Sequence, residues 1–372
     1  MDLRIDQLQR RAAGHPGVIP LAGGLPADEL LPRAELAHAM ESILSQRAQR
    51  TGRRESGPFR RSWPESVIKL RGWIADRLNA RGAQIDDDDV IVTAGATHAL
   101  ALVARTLRPG RRIAVGEETY PQAIASFSAA QHDVVADGEA DVHYLVEGVS
   151  TPHGIDAVGS RRAALLASGA GLIVDEACVE LRFDGRMPRP LYADAPDRVW
   201  HVGSFSKIVC PGIGVGWLVP PRQMRADVMA RTRRDELQQG SLVQAALTRL
   251  LAETDHDERV SRARNLYAAR AALAIDAIRR HLPSWRVTEP EGGLTLWVES
   301  DLDGDDVDVM ATAIANGVTI DPGCIFRPSG QASPMAFRLS YAAAPLADLE
   351  EGIRRLARAT RSFRRCDRDH AA

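Results

Sequence analysis

Short apolar segments alternate with helical patterns through the first two thirds of this chain. Strands are predicted at residues 89–93, 112–115, 142–146, 171–175 and 199–203. The segment GLIV at residues 171–174 is apolar at every position, which is typical of a strand that is buried on both faces. Residues 67–81 and 99–107 repeat their apolar positions at helical spacing. Strands that alternate with helices indicate a mostly parallel sheet flanked by helices.

The pattern changes after Pro220. Long helices are predicted at residues 224–252 and 258–282, followed by strands at 293–299 and 336–341 and helices at 306–315 and 345–361. This mixture predicts a smaller α+β domain packed on a large α/β domain. We expect an arm at residues 1–36 that joins the small domain, a large domain at 37–254 and the small domain at 255–372.

Composition and charge narrow the classes of protein to consider. The chain has 372 residues, a hydrophobic content of 45% and a formal net charge of −2, as expected for a globular protein with a sizeable core. Its many arginines are matched by acidic residues, so nothing indicates nucleic acid or an acidic membrane as the main partner. No apolar run approaches the ~20 residues that span a bilayer.

Cysteine usage and the N-terminal segment bear on the compartment. Residues 1–11 are polar and helix-like, without the apolar core of a secretory signal. The cysteines are scattered without CxxC spacing, at Cys178, Cys210, Cys324 and Cys366. This spacing argues against a disulfide framework or a zinc site and fits a reducing environment. We therefore expect a cytoplasmic protein without a structural metal.

Chemically unusual residues follow two of the predicted strands. Gly95, Ala96 and Thr97 lie at a strand-to-helix turn, where free backbone N–H groups suit a phosphate; an ordinary turn is the alternative. Asp175 directly follows the apolar GLIV segment, so its carboxylate is either a helix cap or a buried functional charge. In open parallel sheets, ligands bind beyond the carboxyl ends of the strands, so these positions are candidate ligand contacts.

Two basic residues complete the set of candidates. Lys207 ends the segment SFSK after the strand at 199–203, and Arg338 lies within the alternating strand segment FRLSY. Either residue alone is more simply explained as a solvated surface charge. Together with a phosphate loop and Asp175, however, they are the parts that a pyridoxal 5′-phosphate enzyme requires: a Schiff-base lysine, a carboxylate for the pyridine nitrogen and an arginine fork for a substrate carboxylate.

A family resemblance extends over nearly the whole chain. The segments that carry it are IPLAGGLPADELLP, TAGATHAL, EETYP, STPHG, IVDEA, GSFSK, EGGLTLW, GVTIDPG and FRLSYA, in that order. With these segments the sequence resembles the fold-type I, class I and II aminotransferases. It looks most like the kynurenine/α-aminoadipate aminotransferases and the aminotransferase-like domain of MocR-type regulators.

The resemblance implies a role for each matching residue. Catalysis would rest on Lys207, which forms the Schiff base, and on Asp175, which binds the pyridinium. The cofactor would be bound by Gly95, Ala96, Thr97, Tyr120, Thr151, Asp175, Cys178, Ser204, Ser206 and Lys207. Tyr120 matches the aromatic residue that stacks on the cofactor ring. The substrate would be bound by Arg338, Gly24 and Leu25. Members of this family work as homodimers, so the resemblance also implies a dimer.

The sequence departs from the family pattern around the cofactor. Thr151 and Cys178 stand where the family has an Asn and a Tyr that hydrogen-bond the ring oxygen. Gly214 stands where it usually has a phosphate-binding Arg. An ungapped alignment on Trp73 places Arg61 where a partner-subunit Tyr would reach the phosphate. Whether Arg61 replaces the missing arginine is left open.

The resemblance implies an aminotransferase that acts on an amino acid through Lys207. Because of the departures, a lyase, a cyclase or a decarboxylating enzyme that uses the same cofactor remains an alternative outcome. A non-catalytic regulator is a further alternative. It is less expected, because the chain begins directly at the AGGLP segment, with no room for a DNA-binding domain and no basic patch. The sequence does not name the substrate or the pathway.

Overall fold

The computed structural model describes residues 3–12, 15–45, 65–235, 240–328 and 334–363. The strands are β1 Ile19–Pro20, β2 Ile91–Thr93, β3 Arg112–Val115, β4 Asp133–Ala136, β5 Val142–Val146, β6 Gly171–Asp175, β7 Val199–Ser204, β8 Gly216–Val219, β9 Arg286–Thr288, β10 Thr295–Glu299, β11 Val318–Thr319, β12 Asp321–Pro322 and β13 Ala336–Ser340. The helices are α1 Leu3–Ala12, α2 Arg33–Ser45, α3 Glu65–Ala80, α4 Ala96–Thr106, α5 Pro121–Ala129, α6 Arg162–Ala167, α7 Leu191–Asp194, α8 Arg225–Asp235, α9 Ser241–Glu253, α10 His256–His281, α11 Asp306–Ala315 and α12 Leu346–Ala359.

A seven-stranded sheet forms the centre of the fold, with the strand order β2-β8-β7-β6-β5-β3-β4. The pairs β7–β6, β6–β5, β5–β3 and β3–β4 are parallel. Strand β8 runs antiparallel to both of its neighbours, β7 and β2, so β2 again points the same way as β7. The carboxyl ends of β2, β6 and β7 therefore lie along one edge of the sheet. The predicted α/β fold with a mainly parallel sheet is confirmed.

The central strand β6 is buried on both faces, as its apolar sequence predicts. Leu172, Ile173 and Val174 are all 0% exposed. Leu172 and Val174 pack in a core that includes α3 and α10, whereas Ile173 points to the other face and packs with α4 and α5. Because side chains alternate along a strand, this burial requires helices on both faces of the sheet.

A smaller antiparallel sheet has the order β12-β13-β10-β9. Helices α10 and α12 pack against each other, and α10 begins at the cap Asp255, whose side chain accepts a hydrogen bond from the Glu258 N–H at 2.9 Å. The N-terminal strand β1 pairs in parallel with β11, with Ile19 opposite Val318. None of the helices in the described ranges has both the length and the apolar character needed to cross a bilayer.

Several elements differ from the sequence predictions for identifiable reasons. The helix predicted at 224–252 is two helices, because α8 ends at Asp235 and α9 begins after Gly240. The strand predicted from Gly293 begins only at Thr295, because Gly293 has a φ of +86°, outside the extended region. Strand β8 was not predicted. Its four residues follow a glycine-rich turn and begin with Gly216, which weakens the strand pattern.

Gly216 at the start of β8 allows close backbone approach at the edge of the sheet. It lies between Thr93 of β2 and Ser204 of β7. A Cβ at this position would lie 2.7 Å from both the Gly203 carbonyl oxygen and the Gly95 carbonyl carbon. These neighbours are backbone atoms and cannot swing away, so the position requires glycine.

We predict that Gly216→Ala destabilises the protein by about 1–3 kcal/mol, because the added methyl group overpacks against fixed backbone. Urea unfolding followed by circular dichroism measures this change. The matched control is Gly212→Ala, since a Cβ there meets no atom within 4 Å. Equal unfolding midpoints for Gly216→Ala and Gly212→Ala would contradict the steric account.

Candidate active site

The carboxyl edge of the large sheet opens into a cavity of about 270 Å³, here called the first cavity. Its lining includes all ten residues that the family resemblance assigns to the cofactor: Gly95, Ala96, Thr97, Tyr120, Thr151, Asp175, Cys178, Ser204, Ser206 and Lys207. Gly214 also lines it. The register of the sheet explains this convergence, because Asp175 ends β6 and Ser204 ends the adjacent strand β7.

Asp175 is a buried carboxylate at the floor of the first cavity, 4% exposed. Its Oδ1 accepts a hydrogen bond from the Ala177 N–H at 2.9 Å, and its Oδ2 accepts one from the Tyr144 hydroxyl at 3.0 Å. Burial raises the pKa of Asp175, although the two donors oppose the change. Because both donors are neutral, a cationic group facing the carboxylate would stabilise its charged form.

Lys207 reaches the same cavity from the turn after β7. Its Nζ donates a hydrogen bond to the Gly24 carbonyl oxygen at 2.6 Å, which links the lysine to the N-terminal AGGLP segment. Burial lowers the pKa of Lys207, and the nearby Arg338 guanidinium lowers it further. A lysine with a lowered pKa is more often the neutral amine, which is the nucleophilic form.

Backbone and hydroxyl groups form another part of the lining of the first cavity. Helix α4 begins there after Gly95, whose φ of +88° is readily adopted by glycine. The Ser206 N–H donates to Ser204 Oγ at 3.2 Å. Gly214 adopts a left-handed conformation and supplies no side chain. Among the described residues that line this cavity, Lys207 is the one basic side chain, and Arg61 lies outside the described residues.

A second cavity of about 310 Å³ adjoins the first. Its lining shares Tyr120, Thr151, Cys178 and Lys207 with the first cavity. It adds Gln9, Gly23, Gly24, Asp321 and Arg338, so two of the three predicted substrate-binding residues are present. The third, Leu25, is 51% exposed and does not line either of these cavities.

Two buried contacts at the site were not predicted from sequence. Tyr144 holds Asp175, and Asp321 forms an ion pair with Arg338, with Nη2 and Oδ2 2.7 Å apart. Tyr144 lies in the segment VHYLV of β5, two residues before the residue opposite Asp175. Side chains two residues apart on a strand are on the same face, so this segment gave a signal for Tyr144. Asp321 is an acid directly after the apolar segment that ends at Ile320, a signal similar to that of Asp175.

Beside Asp175, a cluster of buried charges lies at the ends of β5 and β6. Arg162 Nη1 donates to Glu147 Oε1 at 2.8 Å, and Arg81 Nη2 donates to Glu176 Oε1 at 3.0 Å. Burial and the neighbouring Glu176 carboxylate raise the pKa of Glu147 to about 9. The ring of His201 lies 3.9 Å from Glu176, and burial lowers its pKa. The raised pKa of Glu147 predicts that this side chain keeps its proton at neutral pH.

This cluster predicts a pH dependence of stability. The folded protein keeps the Glu147 proton up to pH about 9, whereas an unfolded chain releases it near the ordinary value of 4.5. Between these values the contribution of Glu147 to stability falls as pH rises, by up to ~1.4 kcal/mol per pH unit. Glu147→Gln, which is neutral in both states, should flatten this slope between about pH 6 and pH 8.

Urea unfolding at several pH values measures this slope. Glu253→Gln serves as the control, because Glu253 pairs with Arg249 on the surface of α9. Identical slopes for the wild type and Glu147→Gln would show that Glu147 is ionised in the folded protein.

The first cavity fits pyridoxal 5′-phosphate on three counts. A buried carboxylate with neutral donors suits a protonated pyridine nitrogen, and an amine with a lowered pKa suits the cofactor carbonyl. Backbone N–H groups at the start of α4, together with Ser204 and Ser206, suit a phosphate. Asp175, Lys207 and the 95–97 turn are the residues that would hold these three parts.

Comparison with known proteins supports the same cofactor. The model of the family described as aminotransferase class I and II matches residues 137–356, more than half of the chain. A 2-aminoadipate transaminase from Thermus thermophilus is 29% identical over 378 residues, which cover 94% of this chain and 91% of the relative.

One further relative and one solved structure extend the comparison. The HTH-type pyridoxine biosynthesis transcriptional regulator PdxR from Corynebacterium glutamicum is 33% identical over 252 residues, covering 62% of this chain and 54% of the regulator. The crystal structure of LysN, an α-aminoadipate aminotransferase from Thermus thermophilus in complex with N-(5′-phosphopyridoxyl)-L-leucine, matches with a TM-score of 0.83 and 27% identity. That match covers 97% of this chain and 95% of the LysN chain.

Proposed function

This chain belongs to the class I and II aminotransferases, and from that membership we propose that it transfers the amino group of an amino acid through pyridoxal 5′-phosphate held by Lys207. One observation carries the proposal. Asp175, Lys207 and the turn at residues 95–97, which lie far apart in sequence, line a single cavity at the carboxyl edge of the sheet.

When bound, pyridoxal phosphate supplies an electron-accepting ring that stabilises the charge left on the substrate α-carbon after its proton is removed. Asp175 would hold the proton on the ring nitrogen through a charge-assisted hydrogen bond. Lys207 Nζ would accept the α-proton of the amino acid, and its lowered pKa favours the neutral amine that this task requires. Arg338, which lines the second cavity, would bind the substrate carboxylate.

The remaining cavity residues would orient the cofactor. Thr151 keeps one hydroxyl donor for the ring oxygen. Cys178 is a weaker donor, and because burial raises its pKa to about 11 it stays a neutral thiol at physiological pH. Tyr120, whose hydroxyl lies 3.1 Å from Thr97 Oγ1, would cover the ring. The phosphate would be held by Ser204, Ser206 and backbone N–H groups at the start of α4.

Three further proposals concern the protein as a whole. We propose the division into an arm at 1–36, a large domain at 37–254 and a small domain at 255–372; the separate seven-stranded and four-stranded sheets support it. We also propose that the protein is a homodimer, as the family resemblance implies. A cytoplasmic location stays a prediction from the sequence.

A single-turnover experiment tests the proposed function. The holoenzyme, without added keto acid, should convert a reactive amino acid to its keto acid and leave pyridoxamine phosphate on the protein, at one equivalent per subunit. Mass spectrometry of small molecules measures both products across a panel of amino acids. Lys207→Ala is the control, and it should give no keto acid because the proton acceptor is removed.

Other outcomes would identify the alternatives. Release of carbon dioxide, or elimination or cyclisation products with the cofactor still in its aldehyde form, would indicate a non-transaminating enzyme. Cofactor binding without any reaction over the whole panel would contradict the aminotransferase proposal and favour a regulatory protein, as in the relative PdxR.

A further inference from the structure

Arg338, the arginine proposed to bind the substrate carboxylate, already has an anionic partner. Its Nε and Nη2 both donate to Oδ2 of Asp321, at 3.0 and 2.7 Å. The Gly23 N–H donates to the same oxygen at 2.7 Å. Asp321 is 2% exposed and lies directly opposite Arg338 in the pairing of β12 with β13. The ion pair is therefore built into the small sheet and not formed by a mobile surface side chain.

The ion pair with Asp321 leaves the Nη1 end of the Arg338 guanidinium group near Lys207. Asp321 occupies the edge formed by Nε and Nη2. The Nη1 end faces Gly24, where an added Cβ would lie 3.9 Å from both Arg338 Nη1 and Lys207 Nζ. A carboxylate can still bind at the Nη1 end, because an arginine offers more donors than one partner uses. The positive charge of the guanidinium is, however, balanced by Asp321.

The rest of the second cavity offers no further cation among the described residues. Its charged lining residues are Lys207, Asp321 and Arg338. The other side chains that line it outside the part shared with the first cavity are neutral: Gln9, Pro121, Gln122, Val149, Ser150, Leu294, Thr295 and Ile325. An apolar or amide-bearing side chain therefore meets matching groups, whereas a second carboxylate would be desolvated without a cationic partner among these residues.

We propose, building on the proposed function, that Asp321 is a specificity-determining residue that makes the enzyme prefer amino acids with neutral side chains over those with a second carboxylate. The α-carboxylate takes the Nη1 end of Arg338. Among the described residues of this cavity, a side-chain carboxylate finds no further cation, and it is repelled by Asp321. The substrate class therefore differs from the one that the name 2-aminoadipate transaminase gives for the relative.

Binding of unreactive carboxylic acids to the holoenzyme tests this inference without turnover. Isocaproate has one carboxylate and an apolar chain, whereas glutarate has two carboxylates. Isothermal titration should find that wild-type protein binds isocaproate more tightly than glutarate. Asp321→Asn keeps an acceptor oxygen for Gly23 and Arg338 but removes the negative charge. It should tighten glutarate binding more than isocaproate binding, shifting their affinity ratio by about tenfold.

Asp133→Asn is the matched control, since it removes one acid from the surface strand β4, remote from the cavity, and should leave both affinities unchanged. Tighter wild-type binding of glutarate than of isocaproate would overturn the proposal. So would an equal change for both acids in Asp321→Asn, because Asp321 would then only orient Arg338. Failure of the aminotransferase proposal is seen separately, as the absence of keto acid in the single-turnover experiment.

Discussion

The rest of the site depends on one buried group, the carboxylate of Asp175. It lies at the end of the buried strand β6, and among the described residues it accepts hydrogen bonds from two neutral donors, the Tyr144 hydroxyl and the Ala177 N–H. Burial raises its pKa, so the fold alone does not favour its charged form. A cationic ring nitrogen would reverse this preference, because the charged pair then replaces the lost hydration. The same contact would keep the ring protonated and able to accept electrons.

The other groups of the site follow from the sheet that holds this carboxylate. Strand β7 pairs with β6, which brings the turn bearing Lys207 beside Asp175. The antiparallel strand β8 joins β7 to β2, and Gly216 lets the backbone at Gly95 approach closely. The part of the first cavity that is proposed to hold the phosphate offers N–H and hydroxyl groups. The substrate side instead has an arginine whose charge is already balanced by Asp321.

Features encoded within one short segment could be predicted from the sequence. The apolar GLIV segment before Asp175 and the GSFSK turn each carry their meaning locally, so β6, β7, Asp175 and Lys207 were identified from the residues. The family resemblance supplied Tyr120, Thr151 and Cys178, which also line the first cavity. Features that depend on how distant segments pair were missed. The Tyr144–Asp175 contact joins residues 31 apart, and Gln9 enters the second cavity from the N-terminal helix. Register between separate strands and the docking of the arm determine these contacts.

The protonation state of the cofactor ring nitrogen tests the central role of Asp175 most directly. The holoenzyme is reconstituted with cofactor that carries ¹⁵N in its pyridine ring. In ¹⁵N NMR, the wild type should show a protonated pyridine nitrogen at neutral pH. Asp175→Asn has nearly the same shape but no charge, and it should report an unprotonated nitrogen under the same conditions. An unprotonated ring nitrogen in the wild type, or the same chemical shift in both proteins, would contradict the account.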